Sequence, residues 1–147
     1  MLSVIIPTYN EVQAMQRLLM ALAPAAVDGL VREVIAADAG STDQTLELAD
    51  DAGVDVVSGG LVTAAAKARS DWVLVLPATI ELREGWAARL SIHLAGGPRP
   101  ALITGEGLWF RANPRGILIS KVNLLKSNET RDVPVLVKTL GRGVARL

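Results

Sequence analysis

The sequence predicts an α/β fold: a mostly parallel sheet with helices on both faces. Three observations predict it. First, 50% of the 147 residues are apolar but only 3% are aromatic, so the core must be built from Ala, Val, Leu and Ile. That composition suits buried parallel strands and Ala/Leu-rich helices. Second, short apolar runs alternate with stretches whose apolar residues recur at spacings of three and four, the strand and helix periods in turn. Third, polar and glycine-bearing segments follow directly after the apolar runs, where open parallel sheets place their ligands.

In chain order, "LSVIIP" (2–7) is a short apolar strand, and Val12, Met15, Leu19 and Leu22 mark the stripe of the helix after it. "VREVIAAD" (31–38) is a second strand, followed by a helix over 42–52. "VDVV" (54–57) is a third, and 61–69 reads as an alanine-rich helix. "WVLVL" (72–76) is the fourth and most apolar strand, and a helix over 84–94 carries Trp86, Leu90 and Leu94. "ALIT" (101–104) is a fifth strand, and two helices are expected over 114–125 and 133–140. No repeat, low-complexity tract or long linker divides the chain, so residues 1–147 are read as one domain.

Composition excludes several classes. There are 15 basic and 15 acidic residues, and net charge is zero. With no basic stripe and no interleaved aromatics, nucleic acid is not an expected partner. Zero cysteines rule out disulfides and thiolate metal sites, and one histidine rules out a multi-His cluster. "MLSVIIPTYNE" lacks a basic leader, and no apolar run approaches a membrane span, so a soluble cytoplasmic domain is expected. No Gly-x-Gly-x-x-Gly follows a strand, which disfavours a dinucleotide oxidoreductase. The first loop, Pro-Thr-Tyr-Asn, lacks the glycines and reaching Lys of a nucleotidyltransferase. His93 shares a helical face with Trp86 and Leu90 and reads as a packed or half-buried residue, and the Asn-Glu-Thr of 128–130 carries no function in a cytoplasmic chain.

Two polar segments stand at strand ends, "PTYNE" (7–11) and "DAGSTD" (38–43). Helix capping accounts for part of them: Asn10 with Gln13, and Ser41 with Gln44, have capping-box spacing, and Asp43 would sit in a favourable first turn. Capping does not require an aromatic residue at Tyr9 or a carboxylate at Asp38. A strand-tip carboxylate can accept the N–H of a uracil or guanine base while a nearby Tyr covers the ring. Gly40-Ser41 would let the backbone approach a ligand.

"VIIPTYNE", "EVIAADAGSTDQTLELA" and "KARSDWVLVLPATIELREGWAARL" resemble the nucleotide-binding half of family 2 glycosyltransferases of the GT-A fold. "GILISKVNLLKS" and "ETRDVPVLVKTLGR" continue the resemblance more weakly. It implies a Rossmann-like nucleotide-binding half in which Pro7, Tyr9, Glu11, Asp38 and Ser41 serve a UDP- or GDP-linked sugar donor. The acceptor stays unknown, and self-association into a homo-oligomer is left open. The stretch between the fifth strand and Pro114 is short for the family's acceptor-binding loops.

The same resemblance isolates a departure. Where the family carries an Asp-x-Asp-type pair for Mn²⁺ or Mg²⁺ at the tip of strand four, this chain has Pro77-Ala78-Thr79. Such cations prefer oxygen ligands and neutralise the leaving diphosphate. A helix N-terminus offers an anion only about 0.3–1 kcal/mol, against roughly several kcal/mol from a metal. Glu81, Lys67 and Arg69 are the candidate substitutes, while an upstream Arg and Asn of the family are replaced by Gly59 and Val62. The family's Glu-Asp pair reads Arg131-Asp132, which makes Asp132 the candidate general base, with a helix N-cap as its structural alternative. The expectation is a glycosyltransferase-like protein of weak or no activity. The alternative is a non-catalytic nucleotide-binding or scaffolding module of the same descent.

Overall fold

The computed structural model describes residues 1–106, 114–127, 133–139 and 144–147. Four parallel strands form its first half: β1 (Leu2–Thr8), β2 (Val31–Asp38), β3 (Asp55–Ser58) and β4 (Trp72–Val75). They are joined by α1 (Val12–Val27), α2 (Thr45–Asp51) and α3 (Leu61–Lys67). After β4 come α4 (Trp86–Ala95), β5 (Ala101–Thr104), β6 (Arg115–Ser120), α5 (Lys121–Lys126), α6 (Val133–Thr139) and β7 (Ala145–Arg146). Among the described residues the sheet has seven strands, in the order β3-β2-β1-β4-β6-β5-β7. The β4–β6 and β5–β6 pairs are antiparallel and the other four pairs parallel.

Alternation along β1 sends Leu2, Val4 and Ile6 to one face, where Leu18, Leu22 and Ala25 of α1 and Leu90 of α4 pack. Ile5 faces the other way, against Leu61, Ala64 and Ala65 of α3, Leu124 of α5 and Val133 and Leu136 of α6. The sheet is therefore covered on both faces, as expected, and its small and aliphatic residues satisfy the period-two pattern.

One predicted element is corrected. Residues 114–125 are not one helix: their first part is β6, inserted antiparallel between β4 and β5, and the helix α5 begins only at Lys121. Gly116 suits the insertion. A Cβ there would press into the Leu76 side chain and lie 3.2 Å from the Val75 carbonyl oxygen, so a residue without a side chain suits this close approach. The short strand β7, beside β5, was not foreseen either.

At the amino ends of the strands a polar cluster ties β1 and β2 to the entry of β4. Ser3 Oγ donates to Glu33 Oε1 at 2.6 Å, Arg69 N–H to the same oxygen at 2.6 Å, and Arg69 Nε–H to Oε2 at 3.0 Å. The Ser70 N–H donates to Ser3 Oγ at 3.2 Å. Burial pushes the Glu33 carboxyl up, but the hydrogen bonds from Ser3 and Arg69 and the guanidinium charge outweigh it and hold it below its ordinary value. This stabilisation is complete above pH 4.5, where an unfolded Glu ionises, and is lost as pH falls through the lower folded value. Thermal melts between neutral pH and strong acid should therefore show a steeper loss for the native protein than for Glu33→Gln. Parallel curves would remove the cluster from the acid response.

Candidate nucleotide cleft

The carboxyl ends of β1, β2 and β3 open into a cleft of about 910 Å³. Pro7, Thr8, Tyr9 and Glu11 supply one wall, residues 37–40 the second, and Ser58, Gly59, Gly60 and Leu61 the third. Pro7, Tyr9, Glu11 and Asp38, four of the residues singled out in the sequence, thus line one space. Ser41 does not line it. It stands behind Asp38 and holds that side chain instead.

Asp38 is 5% exposed and shapes its own turn. Its Oδ2 accepts from Gly40 N–H at 2.9 Å and Ser41 N–H at 2.8 Å, and Oδ1 accepts from Ser41 Oγ at 2.5 Å. A carboxylate has about four lone-pair sites, so these bonds leave Oδ1 capacity for one more donor. Gly40, at φ 103°, takes a backbone conformation that side chains rarely adopt. Tyr9 is 56% exposed at the rim, its ring free to lie against a planar ligand. Glu11 is half-buried, and burial raises its carboxyl above the ordinary value.

The capping boxes do not form. Glu11, not Asn10, is the N-cap of α1, without a side-chain hydrogen bond, and Gln44 is the N-cap of α2. Asn10 bonds instead to the backbone of Thr42 and Asp43, thirty-odd residues away. Asp43 turns the chain into α2 by accepting from the Thr45 hydroxyl and N–H, which hold its carboxyl below the ordinary value. Long-range bonding outcompeted the local motif because both loops end at the same sheet edge.

Arg69 is also removed as a substitute cation for the cleft. It pairs with Glu33 at the opposite end of the sheet, where α3 delivers its last residue, Lys67, as well. Missed by the sequence reading was the Ser58-Gly59-Gly60 wall. The Ser-Gly-Gly run directly after a strand was the available signal. His93 is half-buried, as expected, with Nε2 2.8 Å from the Arg99 carbonyl oxygen. Arg131, Asp132 and the 128–130 segment lie outside the described residues.

The profile of glycosyl transferase family 2 matches residues 3–90. The chain belongs to that family. Its family 2 domain is similar to S. aureus TarS residues 1–349, at 25% identity and TM-score 0.62, over 77% of this chain and 38% of that one. The same TarS fragment in complex with UDP gives 26% identity and TM-score 0.61 over 77% and 38%. Glucosyl-3-phosphoglycerate synthase from Mycobacterium tuberculosis, in complex with Mn²⁺, UDP and glucosyl-3-phosphoglycerate, gives 27% and 0.56 over 70% and 42%. This chain therefore spans about two-fifths of the solved chains it resembles. No match was found among curated proteins. The family match and these neighbours make the sheet and its helices a GT-A-type arrangement. Among the described residues, no helix is long and apolar enough to cross a membrane.

The residues at the tip of β4 do not fit a divalent cation. Pro77 has no ligand atom in its side chain, and its carbonyl accepts from Ile80 N–H at 3.0 Å. Ala78 is buried, and Thr79 offers one exposed neutral hydroxyl. The Glu81 side chain is exposed, while its carbonyl accepts from Glu106 N–H at 2.7 Å. Among the described residues, no three His, Cys, Asp or Glu side chains come together as a metal cage.

Proposed function

We propose that the family 2 domain binds the nucleotide of a nucleotide-diphosphate sugar in the cleft beyond β1, β2 and β3, and does so without a divalent cation. The observation that carries the reading is the convergence of Tyr9, Glu11 and Asp38 on that one space. Tyr9 covers the base, and the free capacity of Asp38 Oδ1 accepts a base N–H. TarS and the mycobacterial synthase, both crystallised with UDP, favour uracil over guanine. The role of Asp132 as general base rests on the family resemblance. Transfer to an acceptor is slow or absent on this reading, because the 77–79 turn supplies no carboxylate pair to neutralise a leaving diphosphate. Residues 1–147 serve as one domain with a short acceptor region.

Thermal unfolding against UDP and GDP, with and without Mn²⁺, tests the reading. A ligand at about 100 times its dissociation constant adds roughly 2.7 kcal/mol, a rise of several degrees in midpoint. The expected result is a rise with UDP that Mn²⁺ does not enlarge. A rise only with nucleotide and Mn²⁺ together would refute metal independence, and no rise with any nucleotide would leave the non-catalytic scaffold as the better reading.

A further inference from the structure

Asn10 and the turn that follows β2 are joined across the sheet edge. Asn10 sits at φ 48°, a left-handed conformation that Asn tolerates better than most residues. Its Oδ1 accepts from Thr42 N–H at 2.7 Å and from Asp43 N–H at 3.2 Å. Its own N–H donates to Ser41 Oγ at 3.0 Å, and that hydroxyl donates to Asp38 Oδ1 at 2.5 Å. The adjacent Glu11 N–H donates to Thr45 Oγ1 at 3.2 Å.

We propose that Asn10 is a positioning residue of the cleft: its carboxamide latches the turn that carries Asp38 onto the loop that carries Tyr9, and nucleotide affinity depends on that latch. The inference rests on the nucleotide-binding reading above. Asp38 shapes its turn through Gly40 and Ser41 without help from Asn10. The β1–β2 pairing and Ala39 N–H to the Thr8 carbonyl at 3.0 Å place the start of that turn beside Thr8, and Asn10 fastens its far side next to Tyr9. The bonds from Thr42 and Asp43 lie at the surface, where water can replace a lost acceptor. Losing the carboxamide therefore costs the fold little and loosens the Thr42–Asp43 side of the turn, while Ala39 N–H to the Thr8 carbonyl and Asn10 N–H to Ser41 Oγ still hold its start.

Two variants separate this role from a purely structural one. Asn10→Gly keeps the positive φ accessible and removes the acceptor. Asn10→Asp keeps an acceptor oxygen and a tolerance for the same backbone. In the full chain, UDP titration calorimetry should show Asn10→Gly about tenfold weaker, because the loosened turn must be ordered again when the nucleotide binds. Asn10→Asp should stay within about threefold, and both should melt close to the native midpoint. Amide exchange at Thr42 and Asp43 should quicken in Asn10→Gly alone. Unchanged UDP affinity in Asn10→Gly, beside native binding, overturns the proposal. Should the native protein bind no UDP, the nucleotide reading fails, and exchange alone judges the latch. Protection lost in Asn10→Gly and kept in Asn10→Asp upholds the latch, and unaltered protection overturns it.

Discussion

Replacing Asp38 with Ala should weaken UDP binding by about 10- to 100-fold or abolish it. The carboxylate does two things at once. It accepts both Gly40 N–H and Ser41 N–H on Oδ2, and on the proposed reading its Oδ1, shared with Ser41 Oγ, would accept a base N–H. A hydrogen bond to a charged group contributes about 1.5–3 kcal/mol, and about 1.4 kcal/mol is a factor of ten. Truncation removes the ligand contact and also releases the turn, so the loss should reach the upper part of that range. Asp38→Asn separates the two effects, because its amide oxygen can still hold the turn while the charge is gone. Calorimetric titration of both variants decides the matter. An Asp38→Ala protein that binds UDP within about threefold of native would remove Asp38 from the site.

The largest loss of stability should follow Leu76→Ala. Leu76 is fully buried, in the same cluster as Leu74, Leu90, Ile103 and Leu118. It fills the space above Gly116, whose missing side chain makes room for it. Its N–H also donates to the Ile5 carbonyl at 3.0 Å, which extends the β4–β1 pairing to the edge of the 77–80 turn. Buried Leu→Ala changes cost about 2–5 kcal/mol, more where the surroundings cannot collapse. A residue wedged between β6 and the face shared with α4 has little freedom to relax, so the upper half of that range is expected. Urea unfolding of native and variant proteins measures it. A loss below about 1 kcal/mol would show that β6 closes over the gap, contrary to the tight approach at Gly116.

Much of the fold was legible in the sequence. The first four strands are short Val-, Ile- and Leu-rich runs set between stretches of helical periodicity, and that alternation carried the reading. "GILIS" was not legible, because a short continuous apolar run is equally a buried strand or a helix segment until its neighbours are known. The antiparallel register of Val75 with Ile117, and of Ala101 with Leu118, decided it. In the cleft, Tyr9 and Asp38 stood out because local structure gave no reason for their chemistry at strand tips. Asn10 did not stand out and Ser41 was expected at the nucleotide; the spacing of each suited a helix cap and concealed that they bond to each other.

The sequence by itself determined the layered α/β architecture, the edge of the sheet where ligands are met, and the absence of carboxylates at 77–79. These are one-dimensional properties: periodicity, composition and the identity of three residues. Only the tertiary structure decided that Arg69 belongs to Glu33 rather than to the cleft, that Ser58-Gly59-Gly60 forms its third wall, and that Asn10 fastens one loop to another. Each of those is a contact between segments far apart in the chain. Its partner is chosen by which sheet edge the strands deliver it to, and local spacing carries no record of that choice.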